Sequence, residues 1–300
     1  MAPPILEVSL KPALMRTEGW ADYALMDSGG GRKLERYGRW SVVRPEPQCL
    51  WTPRLDQKAW EAADAVFDPE GEEDAGRWRF KGAPIEPWAL GWGDVRFTGR
   101  FTPFRHLAFF PEQAANWSWI DQALRQAGGR PRVLNLFGYT GVASLVAAAA
   151  GAAVTHVDAS KRSVGWAREN ADLSGLKDAP VRWITEDARK YVQREVRRGS
   201  QYEGIILDPP KYGRGPDGEV WRLFENLPEL ARLCGELLSE NARFLILNAY
   251  AERISGASLS GLLAEVLAGR GGRIDWGELA LVEQWGDRQI GMSFFARWSA

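Results

Sequence analysis

The stretch Val133-Leu134-Asn135-Leu136-Phe137-Gly138-Tyr139-Thr140-Gly141 decides the fold of this chain. It begins as an apolar run typical of a buried strand, passes through two glycines, and continues into the Ala-rich run 142–150, which favours a helix. Glycines let the backbone approach a ligand closely, and the N-terminus of the following helix offers N–H groups. The order strand, glycine turn, helix is common in α/β proteins, so this segment alone does not fix a function.

Three further strand patterns each end in an acidic residue. They are 153–157 with Asp158, 181–185 with Asp187, and 205–207 with Asp208. Carboxyl ends of parallel strands lie at one edge of an open sheet, where such sheets bind ligands. Asp158 could accept hydrogen bonds from both ribose hydroxyls of a nucleoside, and Asp187 could accept one from an adenine amino group. Each acid taken singly also fits a solvated turn or a helix N-cap, but three of them after a glycine turn favour a nucleoside site.

Two prolines follow Asp208 and end its strand. Pro209 and Pro210 have no N–H group and a fixed φ, so the backbone cannot continue the ladder of hydrogen bonds. We expect the carbonyl oxygens of this loop to be free to accept hydrogen bonds from a substrate amino group. The loop therefore suits a planar base that bears an amine.

Four segments together carry a family resemblance. They are LNLFGYTG at 134–141, VTHVDAS at 154–160, ITEDARKY at 184–191 and LDPPKYGRG at 207–215. In this order and spacing they resemble the motifs of class I S-adenosylmethionine-dependent methyltransferases, within them the group that modifies large-subunit ribosomal RNA. The resemblance extends over residues 100–300 and implies a Rossmann-like α/β domain, with a mostly parallel seven-stranded sheet and a C-terminal antiparallel hairpin.

The resemblance also implies site residues. S-adenosylmethionine, which leaves as S-adenosylhomocysteine, would lie with its methionine part against Asn135, Phe137, Gly138, Thr140 and Gly141, its ribose against Asp158 with Ala159 and Ser160, and its adenine against Asp187 with Ala188. Phe110 and Gln113, from the stretch 109–117 before the first core strand, would lie over the cofactor. That stretch fits an ordinary helix start with Pro111 near its first position equally well. The catalytic loop would be Asp208, Pro209, Pro210 and Lys211, with Asp208 also next to the cofactor.

Cysteine-dependent chemistry does not fit the sequence. Relatives that make 5-methylcytosine use a cysteine to attack C6 of the base. This chain has two cysteines, Cys49 in a Pro-rich stretch and Cys234 in a helical run, and neither lies at a strand tip. Where such relatives carry the cysteine, the sequence reads LILNAY at 245–250. The Asp-Pro-Pro-Lys loop resembles instead the acid- or Asn-Pro-Pro-aromatic loops of enzymes that methylate base nitrogens, except that Lys211 precedes the aromatic Tyr212.

The first hundred residues differ from the rest. Short strand-like pieces at 40–43, 83–85 and 95–97 are separated by turn segments that include 27–31 and 68–74. This spacing predicts a small β-rich domain over residues 1–105, followed by the methyltransferase domain over residues 106–300. At the other end, 279–285 and 289–298 flank the turn 286–288 and predict a hairpin.

Composition limits the partners. No apolar run approaches the roughly 20 residues that span a bilayer, and the N-terminus lacks a signal-peptide pattern, so we expect a cytoplasmic enzyme without a membrane partner. Two histidines and two distant cysteines give no metal cluster, so we expect no metal. The resemblance implies an RNA partner, in particular ribosomal RNA. The net charge of −1 argues neither for nor against an RNA partner. A local basic segment is formed by Lys211, Arg214 and Arg222, with Tyr212 and Trp221 between them. A solvated loop would explain this segment equally well.

Two other function classes stay open. A nicotinamide-dependent oxidoreductase would also use a glycine turn and Asp158, but this turn has only Gly138 and Gly141 and lacks the full Gly-x-Gly-x-x-Gly. A non-catalytic RNA-binding protein could retain a degenerate cofactor fold. The sequence leaves the RNA, the methylated atom and the oligomeric state open.

Overall fold

The computed structural model describes residues 4–70, 75–250 and 253–300. In chain order the elements are β1 Leu6–Val8, β2 Ala13–Thr17, β3 Tyr23–Gly29, β4 Arg32–Tyr37, β5 Trp40–Pro45, α1 Gln57–Glu61, β6 Ala65–Pro69, β7 Gly76–Phe80, β8 Trp88–Trp92, β9 Val95–Gly99, α2 Ala114–Ala127, β10 Arg132–Leu136, α3 Val142–Ala149, β11 Ala153–Asp158, α4 Lys161–Leu173, β12 Val181–Thr185, α5 Ala188–Arg197, β13 Gly204–Leu207, β14 Tyr212–Arg214, β15 Val220–Arg222, α6 Leu223–Leu237, β16 Phe244–Ala249, α7 Gly256–Val266, β17 Gly272–Val282 and β18 Gln289–Ser299.

The chain divides into two compact units. The first contains the residues up to Met15 together with Asn116–Leu279 and Met292–Ala300, and the second contains Arg16–Ala115 and Ala280–Gly291. The sequence suggested a single boundary after residue 105, whereas in the structure each unit is assembled from more than one segment. Long-range pairing explains this, since β1 pairs with β17, and Leu25 in β3 forms a bridge with Glu283.

A nine-stranded sheet forms the centre of the first unit. Its order is β1-β17-β18-β16-β13-β10-β11-β12, with β2 also paired to β17. The pairs from β12 through β16 are parallel, and β18 runs antiparallel to β16. The prediction of a mostly parallel Rossmann-like sheet that closes with a C-terminal antiparallel strand is thus confirmed. Two additional strands, β1 and β2, come from the N-terminal stretch that the sequence assigned to another domain.

The sheet is buried on both faces, as parallel sheets usually are. All four residues of β13 are buried, and so are all six of β16. Ile205 and Leu207 are paired with Leu245 and Leu247, and because alternate residues of a strand face the same side, these four side chains share one core. Apolar residues of α5, α6 and α7 complete that core.

The sheet reverses its order at β10, and this reversal positions the candidate site. β10 pairs with β11 on one side and with β13 on the other. Leu136, the last residue of β10, is the partner of Val157 in β11 and of Leu207 in β13. Phe137, Asp158 and Asp208 therefore follow, or stand at, three adjacent strand ends, the place where open parallel sheets bind ligands.

The second unit is rich in strands, as the sequence predicted for the N-terminal region. It contains a five-stranded sheet in the order β3-β4-β5-β6-β7 and the separate pair β8–β9. The strand expected at 83–85 is absent because Pro84 and Pro87 cannot donate to a ladder; the neighbouring strand begins at Trp88. The turn expected at 27–31 is confined to its glycines, since β3 extends to Gly29.

Two other expected segments lie differently from the prediction or partly outside the description. β6 ends at Pro69, and residues 71–74 of the expected turn 68–74 lie outside the described residues. The C-terminal strand expected from residue 279 begins at Gly272. Its first seven residues were not predicted because they include two glycines and three charged residues. No helix in the described ranges is both long and apolar enough to cross a membrane.

Candidate functional site at the carboxyl ends of the strands

The turn between β10 and α3 has an unusual backbone. Phe137 and Tyr139 have φ values of 58° and 48°, which are uncommon for residues other than glycine and cost of order 1 kcal/mol each. The surrounding structure holds them there. The N–H of Tyr139 donates to Oδ2 of Asp158 at 2.8 Å, and the N–H of Gly138 donates to the carbonyl oxygen of Val157 at 3.0 Å. These two hydrogen bonds to residues of β11 therefore fix the conformation of the turn.

Both glycines of the turn are required by close packing. A Cβ atom on Gly138 would lie 2.4 Å from Cε1 of His156, and one on Gly141, whose φ is 83°, would lie 2.8 Å from Cβ of Ala167. The sequence suggested that these glycines admit a ligand, and the structure shows that the protein's own side chains already require them. His156 is fully buried, and burial lowers its pKa to about 3, so the ring is neutral at physiological pH.

Buried polar side chains form a hydrogen-bonded group beneath the turn, on the side of the protein interior. Nδ2 of Asn135 donates to Oγ of Ser144 at 2.9 Å, and that hydroxyl lies 3.0 Å from Nδ1 of His156. Asn135 and Thr140 are 2% and 3% exposed, so they belong to the interior of the turn. Helix α3 follows with Gly141 as its N-cap and no side chain capping it, which leaves the first-turn N–H groups without a side-chain acceptor.

Asp158 is the last residue of β11 and is partly buried. Its Oδ2 accepts the Tyr139 N–H, and its Oδ1 accepts the N–H of Ser160 at 2.8 Å. A carboxylate offers about four acceptor positions, so two remain after these bonds, enough for two ribose hydroxyls. Burial raises the pKa of Asp158 above its usual value. Ala159 is half-buried, while the exposed Ser160 is the N-cap of α4, with its Oγ accepting the N–H of Ser163 at 3.2 Å.

Asp187 lies two residues after the end of β12, and its side chain is buried, with 5% of the residue exposed. It is the N-cap of α5, where its Oδ1 accepts the N–H groups of Arg189 and Lys190, both at 3.0 Å. Within the described ranges, Oδ2 accepts no hydrogen bond, so one oxygen remains for an adenine amino group. The buried Ala188 begins the helix. Glu186, the neighbouring acid, is held by Arg194 in a two-point ion pair.

The Asp-Pro-Pro-Lys loop corrects one expectation. Pro209 is buried, Asp208 is half-buried, and Pro210 and Lys211 are exposed. The carbonyl oxygen of Pro210 accepts a hydrogen bond from Nε1 of Trp221 at 2.7 Å, and that of Lys211 accepts one from the N–H of Leu223 at 3.0 Å. Two of the loop carbonyls are therefore occupied by the protein itself. The candidate acceptors for a substrate are the Asp208 carboxylate and the Pro209 carbonyl.

Trp221 contacts two parts of the candidate site, although the sequence analysis did not name it among the site residues. It is 3% exposed, and its ring centroid lies 4.8 Å from that of Phe137. It thus contacts the glycine turn with its ring and the Asp-Pro-Pro-Lys loop with its N–H. The sequence carries a signal for this arrangement, since Gly215-Pro216-Asp217-Gly218 is a typical turn between two short strands. Neither interpretation of 211–222, a local basic segment or a solvated loop, predicted that Trp221 is buried.

Phe110 and Gln113 belong to the second unit. Phe110 is 39% exposed and precedes a single 3₁₀ turn over Pro111–Gln113, in which the N–H of Gln113 donates to the Phe110 carbonyl at 3.1 Å. The stretch is a helix start with proline at its beginning, as one of the two interpretations had it. A role of these two residues in cofactor binding stays a prediction.

A buried amide side chain stands near the end of β16. Asn248 is 1% exposed, follows the Leu247 that pairs with Leu207, and accepts a hydrogen bond from Nδ2 of Asn116 at 3.0 Å. Both cysteines are buried, Cys234 within α6 and Cys49 in the second unit, so neither lies at a carboxyl end of a strand of the nine-stranded sheet. Among the residues that the structure describes, no group of three His, Cys, Asp or Glu side chains is placed to hold a metal ion.

Comparison with known proteins agrees with this geometry. A family model for S-adenosylmethionine-dependent methyltransferases matches residues 58–250, more than half of the chain. The chain belongs to this family. The crystal structure of the SAM-dependent methyltransferase from Agrobacterium tumefaciens has 49% sequence identity to it and a TM-score of 0.95, over 100% of this chain and 96% of that chain. The nicotinamide-dependent alternative is thereby removed.

Curated relatives are more distant. Ribosomal RNA large subunit methyltransferase I from Aeromonas salmonicida is 30% identical over 55% of this chain and 41% of that protein. Ribosomal RNA large subunit methyltransferase K/L from Shewanella frigidimarina is 36% identical over 39% of this chain and 16% of that protein. The methyltransferase thus spans less than half the length of either relative.

The two remaining acceptor positions of Asp158 generate a prediction. Asp158→Ala should weaken S-adenosylmethionine binding by roughly 1.5–3 kcal/mol, about tenfold to over a hundredfold, the range for hydrogen bonds to a charged group. Calorimetric titration of the folded variant measures this. Asp172→Ala removes an exposed acid from α4 and serves as the control, with unchanged affinity expected.

The same site predicts a pH dependence. Binding needs the ionised carboxylate, and burial raises its pKa. Affinity should therefore be constant above that pKa and fall as the pH is lowered through it, starting at a higher pH than for an exposed aspartate. Unchanged affinity of Asp158→Ala, or a flat pH profile that the variant shares with the wild type, would remove the ribose role.

Proposed function

We propose that this methyltransferase transfers the methyl group of S-adenosylmethionine directly to a nucleobase of RNA, in the first instance ribosomal RNA, without a cysteine nucleophile. One observation carries the proposal: Asp158 and Asp208 stand at strand ends on either side of the glycine turn at which the sheet reverses. This places a candidate cofactor acceptor and a candidate substrate acceptor beside the same turn.

The residues present suit the cofactor. The methionine part would lie along Phe137, Gly138 and Gly141, where the N-terminus of α3 has no side-chain cap and can face a carboxylate. Asp158 has two acceptor positions for the ribose, and Oδ2 of Asp187 is available to the adenine amino group. The buried Asn135 and Thr140 would act by supporting the turn, and Ser160 by beginning α4.

The chemistry asks mainly for positioning. The sulfonium of the bound cofactor supplies an activated methyl group with a good leaving group. The protein must hold a base atom in line with it, and such positioning can contribute several kcal/mol to lowering the barrier. The Asp208 carboxylate and the Pro209 carbonyl would accept hydrogen bonds from a base amino group. Trp221 would keep the loop in place through the Pro210 carbonyl.

A cysteine nucleophile finds no support in the geometry. Burial raises the pKa of the Cys49 thiol to about 11 and raises that of the Cys234 thiol still further, so both are protonated at neutral pH, and a thiol in that form is a poor nucleophile. Asn248 stands at the strand end where a nucleophile would be needed, and its amide is bonded to Asn116. Direct transfer to a base nitrogen is consistent with this arrangement.

The substrate class comes from the relatives. Both curated relatives are named as methyltransferases of large-subunit ribosomal RNA, and the Asp-Pro-Pro-Lys loop lies within residues 58–250, which the family model matches. The non-catalytic alternative makes a distinct prediction, namely RNA binding without any transfer of label from the cofactor.

Asp208 provides the first test of this chemistry. Asp208→Ala should lower single-turnover methyl transfer about 10²-fold or more, because a base displaced by about 1 Å loses that much rate, while cofactor affinity stays within a few-fold. Asp208→Asn is the matched variant. It keeps one acceptor oxygen without the charge, so it should keep more of the rate than alanine if the role is to position an amino group.

Thermal melts of both variants separate this role from a structural one. If Asp208 only stabilises the loop, the alanine variant will melt at a lower temperature and turn over normally per folded molecule. That outcome would take Asp208 out of the active site.

The cysteines provide a second test. Because both thiols are buried and protonated, and neither lies at a carboxyl strand end of the nine-stranded sheet, the double variant Cys49→Ser and Cys234→Ser should retain most of its methyl transfer, measured per folded molecule. Loss of transfer by a variant that still melts cooperatively and binds the cofactor would reinstate covalent catalysis.

A further inference from the structure

β14 and β15 form a two-stranded ribbon directly after the Asp-Pro-Pro-Lys loop; it is called the 212–222 ribbon below. The strands are antiparallel, with Tyr212 opposite Arg222, Gly213 opposite Trp221, and Arg214 opposite Val220. Because side chains alternate across a strand, Gly213 and Trp221 share one face and the other four residues share the opposite face. The ribbon therefore has two chemically distinct sides.

One face of the 212–222 ribbon packs against the rest of the first unit, of which the ribbon is a part. Trp221 is buried against Phe137 and bonded to the Pro210 carbonyl, and Arg189 of α5 donates to the Val220 carbonyl at 3.4 Å. Lys190 of the same helix forms ion pairs with Asp217 and Glu219. The buried contacts of Trp221 stabilise a ribbon that would be marginal alone.

The opposite face is exposed, aromatic and basic. Tyr212 is 51% exposed, Arg214 and Arg222 are exposed, and Val220 lies between them. Glu225 lies 3.4 Å from Arg222, but an exposed pair of this kind contributes little and does not fix the guanidinium. The four residues of this face include two arginines and no acid, so the charge that their side chains present is positive.

We propose that the exposed face of the 212–222 ribbon binds an unpaired segment of RNA adjoining the base to be methylated, with a base stacked on Tyr212 and phosphates bound by Arg214 and Arg222. The proposal rests on the proposed function and names how that function holds its substrate. It assigns to substrate recognition a ribbon for which the sequence left two interpretations open, a local basic segment and a solvated loop.

The side-chain chemistry selects this ligand. Every base has a π face, so stacking on an exposed tyrosine tolerates sequence but needs a base that is not paired in a duplex. Guanidinium groups bind phosphate with two parallel hydrogen bonds. Tyr212 and Arg222 are cross-strand neighbours about 5 Å apart at Cβ, and Arg214 is about 7 Å along the strand, so one base and the phosphates on either side of it can be reached together.

The ribbon is also in the right place. Lys211 links it to Asp208, the proposed acceptor for the substrate base, with two prolines between them. RNA lying along the ribbon would thus be led to the strand ends where Asp158 and Asp208 stand.

The test measures binding of a fluorescein-labelled oligouridine RNA of about 20 nucleotides to the full chain, with S-adenosylhomocysteine present, between about 50 and 300 mM salt. For the double variant Arg214→Gln and Arg222→Gln, the slope of log affinity against log salt concentration should fall by about 1.4, since each phosphate contact to a single strand contributes about 0.7. Tyr212→Ser should weaken binding about 5- to 150-fold with an unchanged slope.

Matched variants control for charge and for the ring. Arg168→Gln with Arg232→Gln removes two exposed arginines from α4 and α6 and should leave both slope and affinity unchanged. Tyr212→Phe keeps the stacking surface and should bind within about twofold of the wild type. Cofactor affinity and melting temperature should be the same in all of these variants, because none of the changed side chains is part of the buried face.

The outcomes separate this proposal from the proposed function. If the wild type methylates RNA and the ribbon variants bind with unaltered affinity and slope, the ribbon proposal is wrong and the function stands. If a duplex RNA competes as well as the single strand, recognition of an unpaired base is wrong. If the wild type neither binds nor methylates RNA, both proposals are overturned.

Discussion

The hydrogen bond from the Tyr139 N–H to the Asp158 carboxylate is the interaction on which the site depends. It connects the end of β11 to the turn between β10 and α3, in which the two non-glycine residues Phe137 and Tyr139 have positive φ values. Gly138 packs against the neutral ring of His156, and this contact leaves no room for a side chain at that position. Asp158 therefore has two tasks, to hold the turn and to offer its remaining acceptor positions, and the first makes the second possible because it fixes where the carboxylate stands.

A second constraint connects the Asp-Pro-Pro-Lys loop to the glycine turn. Trp221 packs on Phe137 and donates to the Pro210 carbonyl, so one side chain sets the distance between the part of the molecule that would hold the cofactor and the part that would hold the base. Positioning of this kind is what a methyl transfer from a sulfonium needs most. The same contact buries one face of the 212–222 ribbon and leaves its basic face exposed.

Much of the fold could be predicted from the sequence because its signals are local. Buried parallel strands give continuous apolar runs, and acids or prolines end them, so the strands that end near Asp158, Asp187 and Asp208 were found within about a residue. Long-range pairing leaves no such signal, and the pairing of β1 and β2 with β17 was therefore not predicted. The allocation of loop carbonyls also depends on tertiary contact: proline predicts that a ladder stops, but it does not show that Trp221 occupies the Pro210 oxygen. Of the expected site residues, those on the strand ends of the first unit are brought together, whereas Phe110 and Gln113 lie in the second unit.

The most direct test of the central claim follows the label to its atom. The protein would be incubated with ribosomal RNA and methyl-tritiated S-adenosylmethionine, and the RNA would then be digested and its nucleosides identified by mass spectrometry. Direct transfer predicts label in one methylated nucleoside, on a nitrogen of its base, without a covalent adduct between protein and RNA. Label on C5 of a pyrimidine, label on the ribose, or no label in RNA from a protein that binds the cofactor would contradict it.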